Sequence, residues 1–229
     1  MKAIKNENIV ELYDVKKSAN NIYLFQELCD KGSLEDVLEK RKKMPESEAL
    51  IIIKQLIQGY KYLHQHSVIH RDLKPANILI KDETYKIADF GFAKYYQEGA
   101  ELDQIHQSLV GSPMYMCPEI LNGSTYSTKS DVWSMGVIFY QMLYGKTPHK
   151  ATSLEELISK VNKKVIRFPQ KLTTEGLQEL LESMLKYNPE ERISWKEIFS
   201  LDLFKAKEKD SNDINRSMSL AQKASKNKL

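Results

Sequence analysis

Cysteine is nearly absent: Cys29 and Cys117 are the only two among 229 residues. They lack the paired spacing of a structural zinc site, and a single bridge could not staple a chain of this length. Such sparing use points to a reducing compartment, and a cytoplasmic location is expected. Long apolar runs are missing too. The most apolar stretch, Val132 to Tyr144, is broken by Ser134, Gly136 and Gln141 and falls short of the ~20 residues of a membrane-spanning helix. Met1-Lys2-Ala3-Ile4-Lys5 runs into Asn and Glu rather than an apolar core, so no secretory leader is expected. Neither sign of charge dominates. The 34 Lys+Arg against 31 Asp+Glu leave a formal +3, too small a surplus to make nucleic acid or a membrane the main partner. The nine glycines are scattered, and none forms a Gly-rich loop able to cradle phosphates. What remains is 41% hydrophobic and 28% charged, the composition of a globular protein long enough for one large domain or two small ones.

Two β-like runs open the chain, Ile9 to Tyr13 and Ile22 to Phe25, with a polar turn of Lys17-Ser18-Ala19-Asn20-Asn21 between them. After Gly32 the pattern is mainly helical. Ser33 is placed to N-cap a helix with Asp36 completing the cap. Pro45-Glu46-Ser47-Glu48 then starts a long helix whose apolar positions Ala49, Ile53, Leu56, Ile57, Tyr60 and Leu63 share one face. From Val68 to Ala93, short apolar pieces (Ile78 to Ile80, Tyr85 to Ala88) frame polar loops. Tyr95 to Gly111 reads as one long loop. Asp131 to Tyr144 reads as a helix buried on nearly every face. Amphipathic helices are expected over Ser153 to Val161, Thr174 to Leu185 and Trp195 to Phe199. Beyond Phe204 the apolar content collapses into a basic, polar tail, expected to be disordered, with a short helix over Met218 to Ala224 as the alternative.

The chemistry-bearing segment is His70-Arg71-Asp72-Leu73-Lys74-Pro75-Ala76-Asn77, followed by Lys86-Ile87-Ala88-Asp89-Phe90-Gly91. Asp72, Asn77 and Asp89 are expected on loops bounded by short strands. Carboxylate and amide oxygens gathered this way suit Mg²⁺, a hard ion that binds through oxygen and shares substrate phosphates. Lys74 adds a cation where negative charge would build up during transfer.

In this order the two segments resemble the eukaryotic protein kinase family, whose catalytic-loop and Asp-Phe-Gly signatures they carry almost unchanged. The resemblance implies Asp72 as the base that accepts the substrate hydroxyl proton, Lys74 as the γ-phosphate contact, and Asn77 and Asp89 as Mg²⁺ ligands. It also implies that Glu119, in Met116-Cys117-Pro118-Glu119, forms a buried ion pair with Arg192, and that Asp131 braces the catalytic-loop backbone. Lys74 at two positions after Asp72 is the serine/threonine arrangement. The resemblance places Ser112 in the substrate-facing loop, where the family has Thr or Ser, with a turn-capping hydroxyl as the alternative. Backbone groups of Glu27 and Cys29 align with the adenine-binding hinge, with Gln26 as gatekeeper and Leu79 as apolar floor. Ser33 is a candidate ribose contact or simply the helix cap, and Cys29 could equally be a small buried hydrophobe. Arg71 is the candidate receiver of a regulatory phosphate on Ser108, which could also be an ordinary exposed serine. The strings Ile87 to Lys94, Gly111 to Met116 and Glu7 to Asp14 resemble the autophagy-initiating kinase group, although calcium-regulated kinases share parts of them.

The implied fold is α+β and protein-kinase-like. Residues 1–30 form a remnant of the small lobe with the hinge, 31–204 a mainly α large lobe, and 205–229 the polar tail. The implied function is transfer of the γ-phosphoryl of MgATP to Ser/Thr hydroxyls of a protein substrate, without nucleic acid or membrane insertion. The family's Gly-rich loop, its ATP-contacting Lys and the helix Glu that pairs with it have no counterpart here. A fragment of a longer protein is the favoured account, because Asp72, Lys74, Asn77 and Asp89 are all intact. The alternatives are a short kinase-like interaction module without catalysis, and an active chain using an unusual route.

Overall fold

The computed structural model describes residues 4–96 and 112–204. Ser108, most of the predicted long loop and the tail from 205 lie outside the described residues. The architecture is α+β: two-stranded antiparallel sheets flank a helical body. Strands β1 (Leu12–Lys17) and β2 (Ile22–Gln26) form a hairpin, closed by Ser18 and Asn21, whose backbone and hydroxyl bond each other. Helix α1 (Leu34–Arg41) follows, and Ser33 caps it through a reciprocal box with Asp36, as its spacing predicts. Helix α2 (Glu46–Gln65) buries the apolar stripe read from sequence, with Ile52 added. Strand β3 (Val68–Ile69) pairs with β6 (Lys94–Tyr95), and β4 (Ile78–Lys81) pairs with β5 (Thr84–Ile87). Helices α3 (Pro118–Leu121), α4 (Thr128–Tyr144), α5 (Leu154–Asn162), α6 (Leu177–Met184) and α7 (Trp195–Ser200) complete the body.

Helix α4 is the axis of the core. Every residue from Ser130 to Tyr140 is buried, as an apolar sequence without one polar face requires. Helix α6 packs against it where Gly136 stands, and a Cβ there would lie 3.0 Å from both Met184 and Leu185. Glycine is what lets the two helices approach so closely. On the far side, Tyr60 of α2 stacks on Trp195 of α7 with ring centroids 3.7 Å apart.

The first strand is shifted from its sequence-based position. Ile9 and Val10, expected inside it, are instead 1% and 3% exposed, and this segment is pinned to β5. The Ile87 amide donates to the Asn8 carbonyl, and the Val10 amide donates to the Ile87 carbonyl, both at 2.9 Å. Burial and pairing with β5 take these residues, so the hairpin begins at Leu12. Tyr95, expected in the loop, is held in a strand by Val68.

The hairpin itself is poorly covered. Ile22, Tyr23, Leu24 and Phe25 are all exposed, Leu24 to 58%. An apolar strand open on both faces is a template for association. Leu24→Lys should therefore reduce self-association, read by light scattering, while changing unfolding stability by less than about 0.5 kcal/mol. A larger loss of stability would show that Leu24 is packed.

Candidate active site

The catalytic segment hangs between β3 and β4 and is shaped from below by α4. Asp131, on that helix and fully buried, accepts from the His70 amide at 2.8 Å, the Arg71 amide at 3.0 Å and the Tyr60 hydroxyl at 2.7 Å. Burial pushes its carboxyl above the usual range, opposed by His70 and by these bonds. The expected bracing role of Asp131 is thus seen directly. His70 is also fully buried, and burial lowers its pKa despite nearby carboxylates. A neutral ring accounts for both its contacts: Nε2–H donates to the Ala88 carbonyl at 2.9 Å, and Nδ1 accepts from the Asp72 amide at 3.3 Å. His70 therefore ties the segment before Asp72 to the segment before Asp89.

The Asp72 carboxylate, 6% exposed, is held on one oxygen by two donors. Lys74 Nζ lies 2.8 Å away and Asn77 Nδ2 2.9 Å away. Asn77 Nδ2 also donates to the Asp72 carbonyl at 2.9 Å. With its nitrogen committed, the Asn77 side-chain oxygen is left to accept from elsewhere. The Asn77 carbonyl takes the Ala88 amide at 2.9 Å, so Asn77 is bonded to the residue just before Asp89. Asp89 is exposed, and one of its oxygens accepts the Gly91 amide at 3.1 Å. Its backbone is left-handed, at φ 58°, as is that of Arg71 at φ 70°. Phe90 rests on the His70 ring with centroids 5.1 Å apart. One free carboxylate oxygen and one amide oxygen, on loops joined by a backbone bond, fit a hard cation that takes its other ligands from phosphates and water.

Just after β2, the Glu27 amide donates to the Glu11 carbonyl at 2.9 Å, which turns this amide into the sheet. The Glu27 carboxylate bonds Lys81 and Lys86, each at 3.0 Å. Burial alone would raise its pKa, and the two lysines hold it below the usual carboxylate range. This anchoring was invisible in the sequence, where Glu27 stood out only for its backbone. Cys29 is half-buried, and burial pushes its thiol up. Leu79 points away from the core between buried Ile78 and Ile80, and pairs with Ser33 across an isolated bridge. The Ser33 hydroxyl is engaged with Asp36 at 2.7 Å.

The segment around Ser112 gathers near the same carboxylate. Ser112 is half-buried and lines one crevice together with Arg71, Asp72 and Tyr126. It precedes a turn over Pro113–Tyr115 without capping it through its side chain. The Arg71 guanidinium donates to the Phe92 carbonyl, and the Tyr126 hydroxyl donates to the Arg71 carbonyl at 3.0 Å. Below, Glu119 and Arg192 make the expected buried pair through two bonds of 2.7 and 2.8 Å. Sequence reasoning gave no role to Tyr60, Tyr126 or the ring of His70. Only His70 carried a signal, as the first residue of the motif.

Comparison with known proteins agrees with this geometry. The family model described as "Protein kinase domain" matches residues 1–204. The chain is 38% identical over 207 residues to "Serine/threonine-protein kinase atg1" of Dictyostelium discoideum, covering 87% of this chain and 30% of that protein. It is 37% identical over 211 residues to "Serine/threonine-protein kinase ULK1" of Homo sapiens, covering 87% and 20%. It is also 37% identical over 205 residues to the human "Serine/threonine-protein kinase ULK3", covering 87% and 43%. The chain thus spans less than half the length of each of these relatives. With a matching model over most of its length and the two bonded loops in place, this chain belongs to the protein kinase family.

Proposed function

We propose that the chain is the catalytic region of a serine/threonine protein kinase. The observation that carries this reading is the Asp72 carboxylate, gripped by Lys74 and Asn77 and facing the crevice that holds Ser112. In the proposed reaction the hydroxyl oxygen of a protein Ser or Thr bonds to the γ-phosphorus of ATP. The bond from that phosphorus to the β-phosphate oxygen breaks, ADP leaves, and the hydroxyl proton passes to Asp72. Lys74 places its charge by the moving phosphoryl oxygens. Asp89 and the Asn77 oxygen would hold Mg²⁺, which supplies neutralisation of the phosphate charge. The Glu27 carbonyl and Cys29 amide are assigned to adenine, Leu79 to its face and Ser33 to the ribose side. Arg71 is assigned to receiving a phosphate on Ser108. Residues 1–30 with the hairpin are read as the small-lobe and hinge portion, and 31–204 as the large lobe.

The sequence likeness to the autophagy-initiating group is in line with the first two matches. Among the described residues no helix is long and apolar enough to cross a membrane, and both described cysteines are free thiols. Cytoplasmic residence, and a protein substrate rather than nucleic acid, belong to the same proposal.

The test uses protein made from the complete natural reading frame, with residues 1–229 in parallel. Asp72→Asn and Asp89→Asn should each lower phosphorylation of a Ser/Thr peptide at least ~100-fold. Titration calorimetry should show MgATP binding weakened in Asp89→Asn and largely kept in Asp72→Asn. Parent-like transfer by both variants would sink the enzyme reading in favour of a kinase-like interaction module.

A further inference from the structure

Charge is unevenly spread along the chain. Residues 146–167 carry six Lys/Arg against two Asp/Glu, a larger surplus than the +3 of the entire protein. The fold wraps this stretch around a cavity of about 470 Å³ between the end of α4 and α5. Lys146, His149, Lys150, Lys160, Lys163 and Arg167 line it, and no carboxylate does. Its walls are fixed. The Tyr140 hydroxyl donates to the Arg167 carbonyl at 2.5 Å, and the His149 ring meets the Tyr187 hydroxyl at 2.8 Å. Lys160 is braced by Glu156 and by the Lys150 carbonyl, at 2.7 and 2.6 Å. Lys146, Lys150, Lys163 and Arg167 have no ion-pair partner among the described residues. Like charges gathered around a concave surface without counter-charges focus a positive potential there.

A second cavity lies between the basic cavity and the turn after Ser112. This cavity, of about 410 Å³, shares Lys150 and Lys160 and reaches Met114. Met114 lies in the turn directly after Ser112, and Ser112 shares a crevice with Asp72. A peptide held at Asp72 would pass Met114, and Glu156 in its pair with Lys160, before it meets the basic cavity.

We propose that this cavity is a docking site for an acidic segment of the protein substrate, offset along the chain from the phosphorylated hydroxyl. The proposal rests on the kinase reading, because it takes Asp72 as the point where the substrate is anchored. Several carboxylates facing several unpaired cations would add affinity that falls as salt rises.

The experiment is fluorescence anisotropy on residues 1–229 without nucleotide, using dye-labelled oligo-Glu and oligo-Gln peptides of equal length. Oligo-Glu should bind and oligo-Gln should not. Reversing two exposed cations, Lys163→Glu with Arg167→Glu, should weaken oligo-Glu binding about tenfold or more. Lys54→Glu, exposed on α2, should leave it unchanged. Equal binding of both peptides, or equal losses in the two variants, would overturn the proposal. So would displacement by sodium phosphate well below the ionic strength at which sodium chloride displaces, which would make this a small-anion site. No transfer is read, so a failure here leaves the kinase reading standing, and loss of the kinase reading would come from the Asp72 assay alone.

Discussion

Asp131→Ala is expected to lower unfolding stability by about 4 kcal/mol or more. The carboxylate serves three buried donors, the amides of His70 and Arg71 and the Tyr60 hydroxyl. Each donor left without a partner costs about 1–3 kcal/mol. A domain of this size has only about 5–15 kcal/mol to lose, so the variant should sit near its unfolding threshold at room temperature. Tyr60→Phe is the control. It removes one donor and leaves Asp131 its two amides, and should cost about 1 kcal/mol. Urea denaturation of both variants decides the matter. A loss from Asp131→Ala no greater than that from Tyr60→Phe would mean the catalytic segment does not depend on this carboxylate for its shape.

Arg192→Met should cost about 3–5 kcal/mol, because it strands Glu119 as an unpaired charge inside the body. Arg192 is 1% exposed and does more than neutralise Glu119. It donates to the carbonyls of Lys186, Lys129 and Tyr187 and lies over the Trp133 ring, 5.2 Å from its centroid. A companion change, Glu119→Leu in the same chain, should restore part of the loss by removing the stranded charge. The exposed pair Arg41–Glu48 gives the contrast, and Arg41→Met should cost less than about 1 kcal/mol. The pH dependence has a definite sign. Burial would raise the Glu119 pKa, but the Arg192 bonds and charge hold it below the ordinary 4.5. A carboxyl depressed in the fold contributes stability that is complete above its unfolded pKa and is lost as pH falls through the folded one. In Arg192→Met burial is left to raise the carboxyl's pKa, so the gap between parent and variant should begin to narrow above pH 4.5 and go on narrowing as pH falls through the parent's lower folded value. A gap that stays constant down to pH 3 or so would show that Glu119 is not the stranded group.

The parts of this site that were legible in sequence are those where chemistry dictates residue type. The roles proposed for Asp72, Lys74, Asn77 and Asp89 call for an acid, a cation, an amide and an acid, and these residues fall within one short stretch. Ser33 with Asp36 was legible for a similar reason, since a capping box is a local pattern. What escaped was set by distant packing. Ile9 and Val10 read as strand residues by composition, yet β5, far along the chain, draws them into a bridge. The Glu27 carboxylate finds Lys81 and Lys86 across the hinge, and no spacing rule announces that. The basic cavity likewise forms only when the segment after α4 folds back against α5. Its charges were present in the overall count, where acids elsewhere hid them.

The left-handed backbone at Asp89 sets a conformational cost that the side chain there has to offset. Most side chains resist φ near 58° by about 1–2 kcal/mol. Asp relieves part of that by accepting the amide two residues on, here from Gly91. Glycine would satisfy the backbone and forfeit the charge, and Glu would keep the charge and forfeit the short local bond. Asn would keep the conformation and the bond while losing only the charge. The backbone, the local bond and the proposed charge at this position together favour Asp, and Asn is the substitution that separates the charge from the other two.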